Sequence, residues 1–152
     1  VPSLDLSSFH TGADLEAVLP NTFCGQATQK LSFGGAEAVG NDATFSAVVS
    51  ALGRSLNDAA IAFASVQGPE CAGIALFAFR IAGADGSRFE QLFIDAQAQD
   101  QGTRPTKSNV GGKDVWVVDS GTKSYIYFRG DTMLGVSAES EADAAKGLAI
   151  MP

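Results

Sequence analysis

The chain has 152 residues, of which 45% are apolar and 18% charged, and its formal net charge is −7. This composition is typical of a globular domain with its own core and excludes an intrinsically disordered chain. The acidic balance also argues against nonspecific binding to nucleic acid or to an anionic membrane, because both require a positively charged surface. We expect an N-terminal lead-in over residues 1–10 and a single α+β domain over residues 11–152.

The first half of the domain alternates between helical and extended patterns. Its predicted elements are, in chain order, a helix at 11–19, a strand at 26–33, a helix at 41–54 and strands at 59–66 and 73–82. Apolar residues in the helix at 41–54 recur on one face, which is typical of a helix packed on a sheet. The strand at 73–82 is apolar on both faces, and this pattern predicts a central position in the sheet.

The second half contains a long helix, four closely spaced strands and a last helix. The predicted elements are a helix at 87–98, strands at 105–110, 113–119, 124–129 and 132–138, and a helix from Ser140 to Met151. A capping box formed by Ser87 and Glu90 predicts where the long helix begins.

After the opening helix, the order of the elements matches a split βαββαβ arrangement followed by a C-terminal meander. We therefore expect an α+β fold with an antiparallel sheet. The βαββαβ-like core would be extended by the meander, with the helices packed on one face.

The turn after the strand at 113–119 decides which aromatic side chains share a face. A four-residue loop pairs Asp119 with Ser124 and places Trp116, Tyr125 and Tyr127 on the same side of the sheet. Arg129 lies on that side as well, so these four residues form a candidate partner-binding surface. The alternative is that the aromatic pairs only stabilise the sheet.

The next turn contains Gly130-Asp131 and decides how the last strand joins the meander. Burial favours an odd-numbered loop, which places Leu134 and Val136 on the face opposite the aromatic residues. Gly-Asp chemistry favours a two-residue loop, which reverses this placement. We favour the odd-numbered loop.

The two cysteines, Cys24 and Cys71, lie in loop-like segments, and their pairing as a disulfide is the simplest interpretation for a secreted protein. Such a bridge stabilises the fold by about 4 kcal/mol in the chain-entropy model. The alternative is two buried free thiols. The low charge and the many glycine, serine and threonine residues favour an extracellular bacterial protein. No apolar stretch reaches the roughly 18 residues that span a bilayer, and any signal peptide or lipid anchor would precede Val1.

Catalytic and metal-binding patterns are missing from the sequence. The only histidine, His10, lies in the lead-in, and one histidine with two cysteines provides too few ligands for a zinc site. Phosphate-binding glycine loops, a serine nucleophile elbow and calcium-binding loops are also missing. We therefore predict no catalytic residues, no metal and no cofactor, and we expect a protein that is not an enzyme.

Three segments carry a resemblance to known proteins. They are Gly111-Gly112-Lys113, the run from Tyr125 to Asp131, and the terminal segment from Val136 to Ala145. This layout resembles a group of uncharacterised secreted or lipoprotein-like bacterial proteins, in which a G-K-x-V strand precedes a Y-V-Y-x-x-G-D hairpin. The resemblance implies an extracytoplasmic location and an α+β fold, and it implies no catalytic residues.

Three functions remain open at this point. The first is a non-enzymatic extracellular module that binds a protein partner or assembles with itself through the aromatic face or an exposed sheet edge. The second is a carrier that holds a small apolar ligand between sheet and helices, which the ten phenylalanines suggest. The third is a hydrolase that uses two converging carboxylates.

Overall fold

The structure is a computed structural model that describes residues 11–39 and 42–152. The lead-in at 1–10, with His10, lies outside the described residues, as does the first residue of the predicted helix at 41–54.

Seven antiparallel strands form the main sheet, and two short strands form a separate hairpin. The short strands are β1 (Thr22–Phe23) and β2 (Gln26–Ala27). The sheet contains β3 (Gln29–Gly34), β4 (Ala59–Ser65), β5 (Ala75–Ile81), β6 (Thr106–Val110), β7 (Lys113–Asp119), β8 (Lys123–Arg129) and β9 (Thr132–Ser137). Their order across the sheet is β3-β4-β5-β9-β8-β7-β6. The predicted antiparallel sheet is confirmed, and β5 lies inside it between β4 and β9.

The helices are α1 (Ala13–Glu16), α2 (Ala36–Val39), α3 (Ala43–Ala51), α4 (Gly86–Gln101) and α5 (Glu141–Ile150). Together with the sheet they confirm the α+β class. The N-cap of α4 is Asp85, whose carboxylate accepts a hydrogen bond from the Arg88 backbone N–H. The predicted capping box at Ser87 and Glu90 is wrong, because the helix begins before Ser87. Within the described part of the chain, no helix is long and apolar enough to cross a membrane.

Apolar cores lie on both faces of the sheet, because successive side chains of the inner strands are apolar. In β5, Leu76 and Ala78 belong to one core, whereas Phe79 and Ile81 belong to the other. We call the first side the disulfide face and the second the phenylalanine face. Helices α1 and α5 contribute to the core of the disulfide face, and α3 and α4 contribute to that of the phenylalanine face. Ala38 of α2 also packs against the core of the phenylalanine face. The expected placement of all helices on one face is therefore wrong for α1 and α5, which pack on the disulfide face.

The connections between strands differ in part from the expected split arrangement. Strands β5 and β6 run parallel, are joined through α4 and have β9, β8 and β7 between them, which is a split crossover. Strands β3 and β4 are instead direct antiparallel neighbours, although α2 and α3 lie between them in the chain. The meander then returns from the far edge and ends with β9 beside β5.

The predicted disulfide between Cys24 and Cys71 is confirmed, and 47 positions separate the two cysteines in the sequence. It joins the loop after β1 to the long connection between β4 and β5. Cys71 is buried in the core of the disulfide face, and Cys24 packs against that core. The bridge therefore stabilises this side of the sheet, away from α3 and α4.

Candidate functional site

The predicted aromatic surface is not formed, because the turn between β7 and β8 is one residue shorter than expected. Asp119 pairs with Lys123, so Trp116 lies opposite Ile126 and Val117 lies opposite Tyr125. Because side chains alternate along a strand, this register places Trp116 on the phenylalanine face and both tyrosines on the disulfide face. The predicted surface of Trp116, Tyr125, Tyr127 and Arg129 is therefore wrong.

Both tyrosines are core residues. Tyr125 is 3% exposed and Tyr127 is 9% exposed. The Tyr127 hydroxyl donates a 2.8 Å hydrogen bond to the main-chain oxygen of Pro152, and burial raises the pKa of this phenol to about 12. Burial also raises the pKa of Tyr125. These contacts give the two rings a role in packing the disulfide face.

Arg129 lies at the exposed end of β8, opposite Thr132 of β9. The turn between them contains only Gly130 and Asp131. The predicted odd-numbered loop is therefore wrong, and the two-residue loop that a Gly-Asp sequence favours is the one that forms. Its register places Leu134 and Val136 beside the tyrosines, where the core of the disulfide face buries them.

Trp116 is half-buried and has partners within the fold. Its Nε1 donates a 3.0 Å hydrogen bond to Glu90 Oε1 on α4. The Lys107 Nζ lies 4.7 Å from the indole ring centroid and 3.8 Å from Glu90 Oε1. This cluster connects α4 to β6 and β7. Helix–sheet packing therefore accounts for the polar contacts of Trp116.

A groove opens on the phenylalanine face between the sheet, α3 and α4. Its volume is about 260 Å³, and five phenylalanines line it. These phenylalanines are Phe45, Phe63, Phe77, Phe79 and Phe93. We call this feature the phenylalanine groove. Three of the rings, those of Phe45, Phe63 and Phe77, are only half-buried, so the groove is open to solvent.

The floor of the groove is a row of side chains that lie opposite one another on neighbouring strands. Phe63 of β4 pairs with Phe77 of β5, which pairs with Gly135 of β9, which in turn pairs with Ile126 of β8. Gly135 carries no side chain, and the Phe77 ring and Ile126 Cγ2 lie over its backbone, so the ring of Phe77 forms the floor at this position.

The wall of the groove comes from the helices. Phe45 of α3 lies 4.9 Å from Phe79 and 5.6 Å from Phe93 of α4, measured between ring centroids. Helix α3 has nine residues and therefore spans only about 14 Å, whereas a seven-residue strand spans about 23 Å. A helix this short does not cover the full length of β4 and β5, which explains why Phe63 and Phe77 remain partly exposed.

The rim of the groove is polar and uncharged. It consists of the hydroxyls of Ser120, Ser124 and Ser137 and the amide of Gln97. Ser124 Oγ and Ser137 Oγ lie 3.1 Å apart and form one hydrogen bond. Whichever hydroxyl accepts this bond keeps its own hydrogen for another acceptor. None of the described residues that line the groove carries a charge, although the chain as a whole is acidic.

Sequence reasoning identified the abundance of phenylalanine but did not identify the groove. The five groove phenylalanines come from two helices and two strands, and only the tertiary structure brings them together. For metal chemistry, residues 11–39 and 42–152 contain no group of three or more histidine, cysteine or acidic side chains that could hold an ion.

Comparisons with known proteins give no family for this chain. No protein-family model matches it, and no curated protein and no solved structure matches it either.

Proposed function

We propose that this protein binds a small molecule with an apolar portion in the phenylalanine groove. The observation that carries the proposal is that five phenylalanines meet in an open groove with a polar, uncharged rim. Ligand sites are typically concave and mostly apolar, with a few polar groups that orient the ligand. This function corresponds to the apolar-ligand carrier that the phenylalanine content suggests.

The dimensions of the groove limit the ligand. A volume of about 260 Å³ lies slightly below the roughly 300–1,000 Å³ of drug-sized ligand sites. We therefore expect a ligand with one short alkyl chain or one ring system. The apolar part would lie against the Phe77 ring, and a polar end would reach the serine hydroxyls.

Assembly through a sheet edge has less support. The outer strands are β3 and β6, and each contains a lysine, Lys30 in β3 and Lys107 in β6. Lysines on outer strands oppose the addition of a further strand, because a paired edge would have to accommodate their charge. Self-association through either edge would appear as a concentration-dependent mass in sedimentation experiments.

Titration of the protein with octanol, followed by amide chemical shifts in NMR spectra, tests the proposal. We expect saturable shifts confined to the groove residues. Phe63→Ala removes one half-exposed groove ring and should weaken octanol binding by about tenfold, which corresponds to about 1.4 kcal/mol of lost apolar contact. Ile150→Ala is the matched control, because Ile150 is an exposed apolar side chain on α5. Absence of saturable binding, or equal loss in both variants, would contradict the proposal.

We also propose that the chain functions outside the reducing cytoplasm, as a secreted or cell-surface protein. The Cys24–Cys71 disulfide supports this location, because such bridges persist mainly in oxidising compartments. Production of the protein in the cytoplasm and in the periplasm of a bacterial host tests this. We expect reactive thiols and lower stability only in the cytoplasmic material. Equal stability of the reduced and oxidised proteins would remove the support that the disulfide provides.

A further inference from the structure

We infer that the ligand of the phenylalanine groove carries an uncharged hydroxyl group, which the paired hydroxyls of Ser124 and Ser137 bind. This inference rests on the proposed function, and it specifies both the class of ligand and the residues that select it. It comes from the position of the two serines and from the hydrogen-bonding capacity that their mutual bond leaves unused.

The two serines lie side by side on the phenylalanine face. Ser124 of β8 pairs with Ser137 of β9, and both side chains line the groove. Each lies two positions along its strand from a residue of the groove floor, Ile126 in β8 and Gly135 in β9. Two residues of a strand span about 7 Å, so one end of a ligand that packs against the Phe77 ring can reach the serine pair.

The hydrogen bond between the two serines uses only part of what their hydroxyls offer. A hydroxyl has one hydrogen to donate and two lone pairs that accept. The 3.1 Å bond between the two Oγ atoms uses one hydrogen and one lone pair. Neither side chain forms another hydrogen bond with a residue that the structure describes. A ligand hydroxyl can therefore accept the remaining serine hydrogen and donate its own hydrogen to the pair.

The surroundings of the pair favour an uncharged group over an ionised one. The described residues that line the groove carry no charge. The nearest charged pair along the hairpin, Asp119 and Lys123, lies one position beyond Val118 and Ser124, and its side chains therefore lie on the disulfide face. A carboxylate or an ammonium group at the serines would lose hydration without gaining a partner of opposite charge.

Four compounds with similar tails separate the hydroxyl from the charge. Octanol and 1-methoxyheptane have the same number of carbon and oxygen atoms, but the ether oxygen only accepts hydrogen bonds. Octanoate and octylammonium carry opposite charges at neutral pH. Each compound is titrated by NMR into the wild-type protein, into the double variant Ser124→Ala with Ser137→Ala, and into Ser108→Ala.

Ser108→Ala is the matched control. Ser108 is a half-buried serine of β6 in the same sheet. It lies opposite Val115, whose side chain is buried in the core of the disulfide face, so its hydroxyl lies on the face away from the groove.

We expect the wild-type protein to bind octanol about fivefold more tightly than the ether, which is the effect of one additional hydrogen bond. Transfer from water alone would favour the ether, because it has no O–H group to desolvate. Octanol should also bind about tenfold more tightly than either ionised compound. The double variant should bind octanol and the ether equally well, whereas Ser108→Ala should retain the preference for octanol. Binding of the ether by the double variant shows that its groove is intact.

Equal affinity of the wild-type protein for octanol and the ether would overturn the hydroxyl ligand and leave the proposed function intact. A preference for octanol that the double variant retains would overturn the role of the two serines. Tighter binding of octanoate or octylammonium than of octanol would overturn the uncharged head group. Failure of all four compounds to bind the wild-type protein would instead refute the proposed function.

Discussion

The Phe77 ring lies over Gly135 of the neighbouring strand, in the space that a Cβ atom at that position would occupy. A Cβ built on Gly135 would also come within 2.8 Å of Ile126 Cγ2. Phe77 is half-buried and lines the phenylalanine groove, so its ring can move towards the open groove. The missing side chain at position 135 therefore maintains the depth of the groove.

Gly135→Ala should displace the Phe77 ring into the groove and weaken octanol binding by about tenfold. We expect the extra methyl group to lower the free energy of unfolding by about 1–3 kcal/mol, as is usual for an overpacked site. Binding is measured by NMR titration and stability by urea denaturation. Gly73→Ala is the control, because a Cβ at this exposed position contacts nothing within 4 Å. Unchanged affinity in Gly135→Ala would show that Phe77 does not determine the depth of the groove.

The two tyrosines are the only ones in the chain, so ultraviolet absorbance follows their ionisation without interference. Burial raises the pKa of both phenols, and that of Tyr127 reaches about 12. We therefore expect Tyr127 to remain protonated near pH 10, the ordinary pKa of a tyrosine, while the protein remains folded, and Tyr125 to ionise at a higher pH than a free tyrosine. Ionisation of both residues near pH 10 in the folded protein would contradict the register of β7 and β8.

The same pKa shift predicts how stability depends on alkaline pH. Because the Tyr127 pKa is raised in the folded state, its contribution to stability is complete below about pH 10 and is lost as the pH rises towards about 12. Tyr127→Phe should therefore show a shallower loss of stability over this range. At neutral pH the variant should lose about 1 kcal/mol, since the bond to the Pro152 oxygen is removed. Urea denaturation as a function of pH measures both effects, and an unchanged alkaline slope would contradict the assignment.

Asp14 of α1 and Arg80 of β5 form an ion pair across the disulfide face. The hydrogen bond that Arg80 donates holds the pKa of Asp14 below its ordinary value of 3.8. The pair therefore adds stability above about pH 4, and this contribution disappears as the pH falls through the lowered pKa. Because Asp14 is largely exposed, the effect on stability should be small.

Arg80→Gln should return the pKa of Asp14 towards 3.8, as measured by NMR titration of the carboxyl carbon. Arg129→Gln is the control, because Arg129 is exposed and forms no ion pair with any described residue. A pKa of Asp14 that Arg80→Gln leaves unchanged would show that another group causes the shift.

Replacement of both cysteines, Cys24→Ala with Cys71→Ala, should lower the free energy of unfolding by about 4 kcal/mol, because the unfolded chain gains the freedom that the long loop had lost. Octanol binding should be retained, since the disulfide and the groove lie on opposite faces of the sheet. Urea denaturation and NMR titration measure these two properties. A loss of stability below about 1 kcal/mol would contradict the expected contribution of the disulfide. A loss of octanol binding in protein that remains folded would contradict the separation of the disulfide and the groove on opposite faces.

The positions of most helices and strands follow from the sequence, because hydrophobic periodicity and turn residues are local signals. The short hairpin of β1 and β2 and the short helix α2 were not predicted, and the strand predicted at 26–33 divides into β2 and β3. The strand predicted at 113–119 matches β7 at both ends, and the predicted disulfide forms. Local sequence signals did not determine the register of the meander strands. Alternation of apolar residues selects a register only when one face of a strand is polar, and β8 has large apolar side chains on both faces.

The turn between β7 and β8 decided that register. The Asp119 Oδ1 accepts a hydrogen bond from the Gly121 N–H, and Gly121 adopts a φ of 101°. Three residues therefore close the hairpin, where four were expected. That difference of one residue moved both tyrosines to the face opposite Trp116. The groove likewise depends on tertiary structure, because its phenylalanines come from distant segments and its opening depends on the short length of α3. The sequence by itself therefore determined the elements and the covalent bridge, whereas packing on two apolar faces decided which side chains meet.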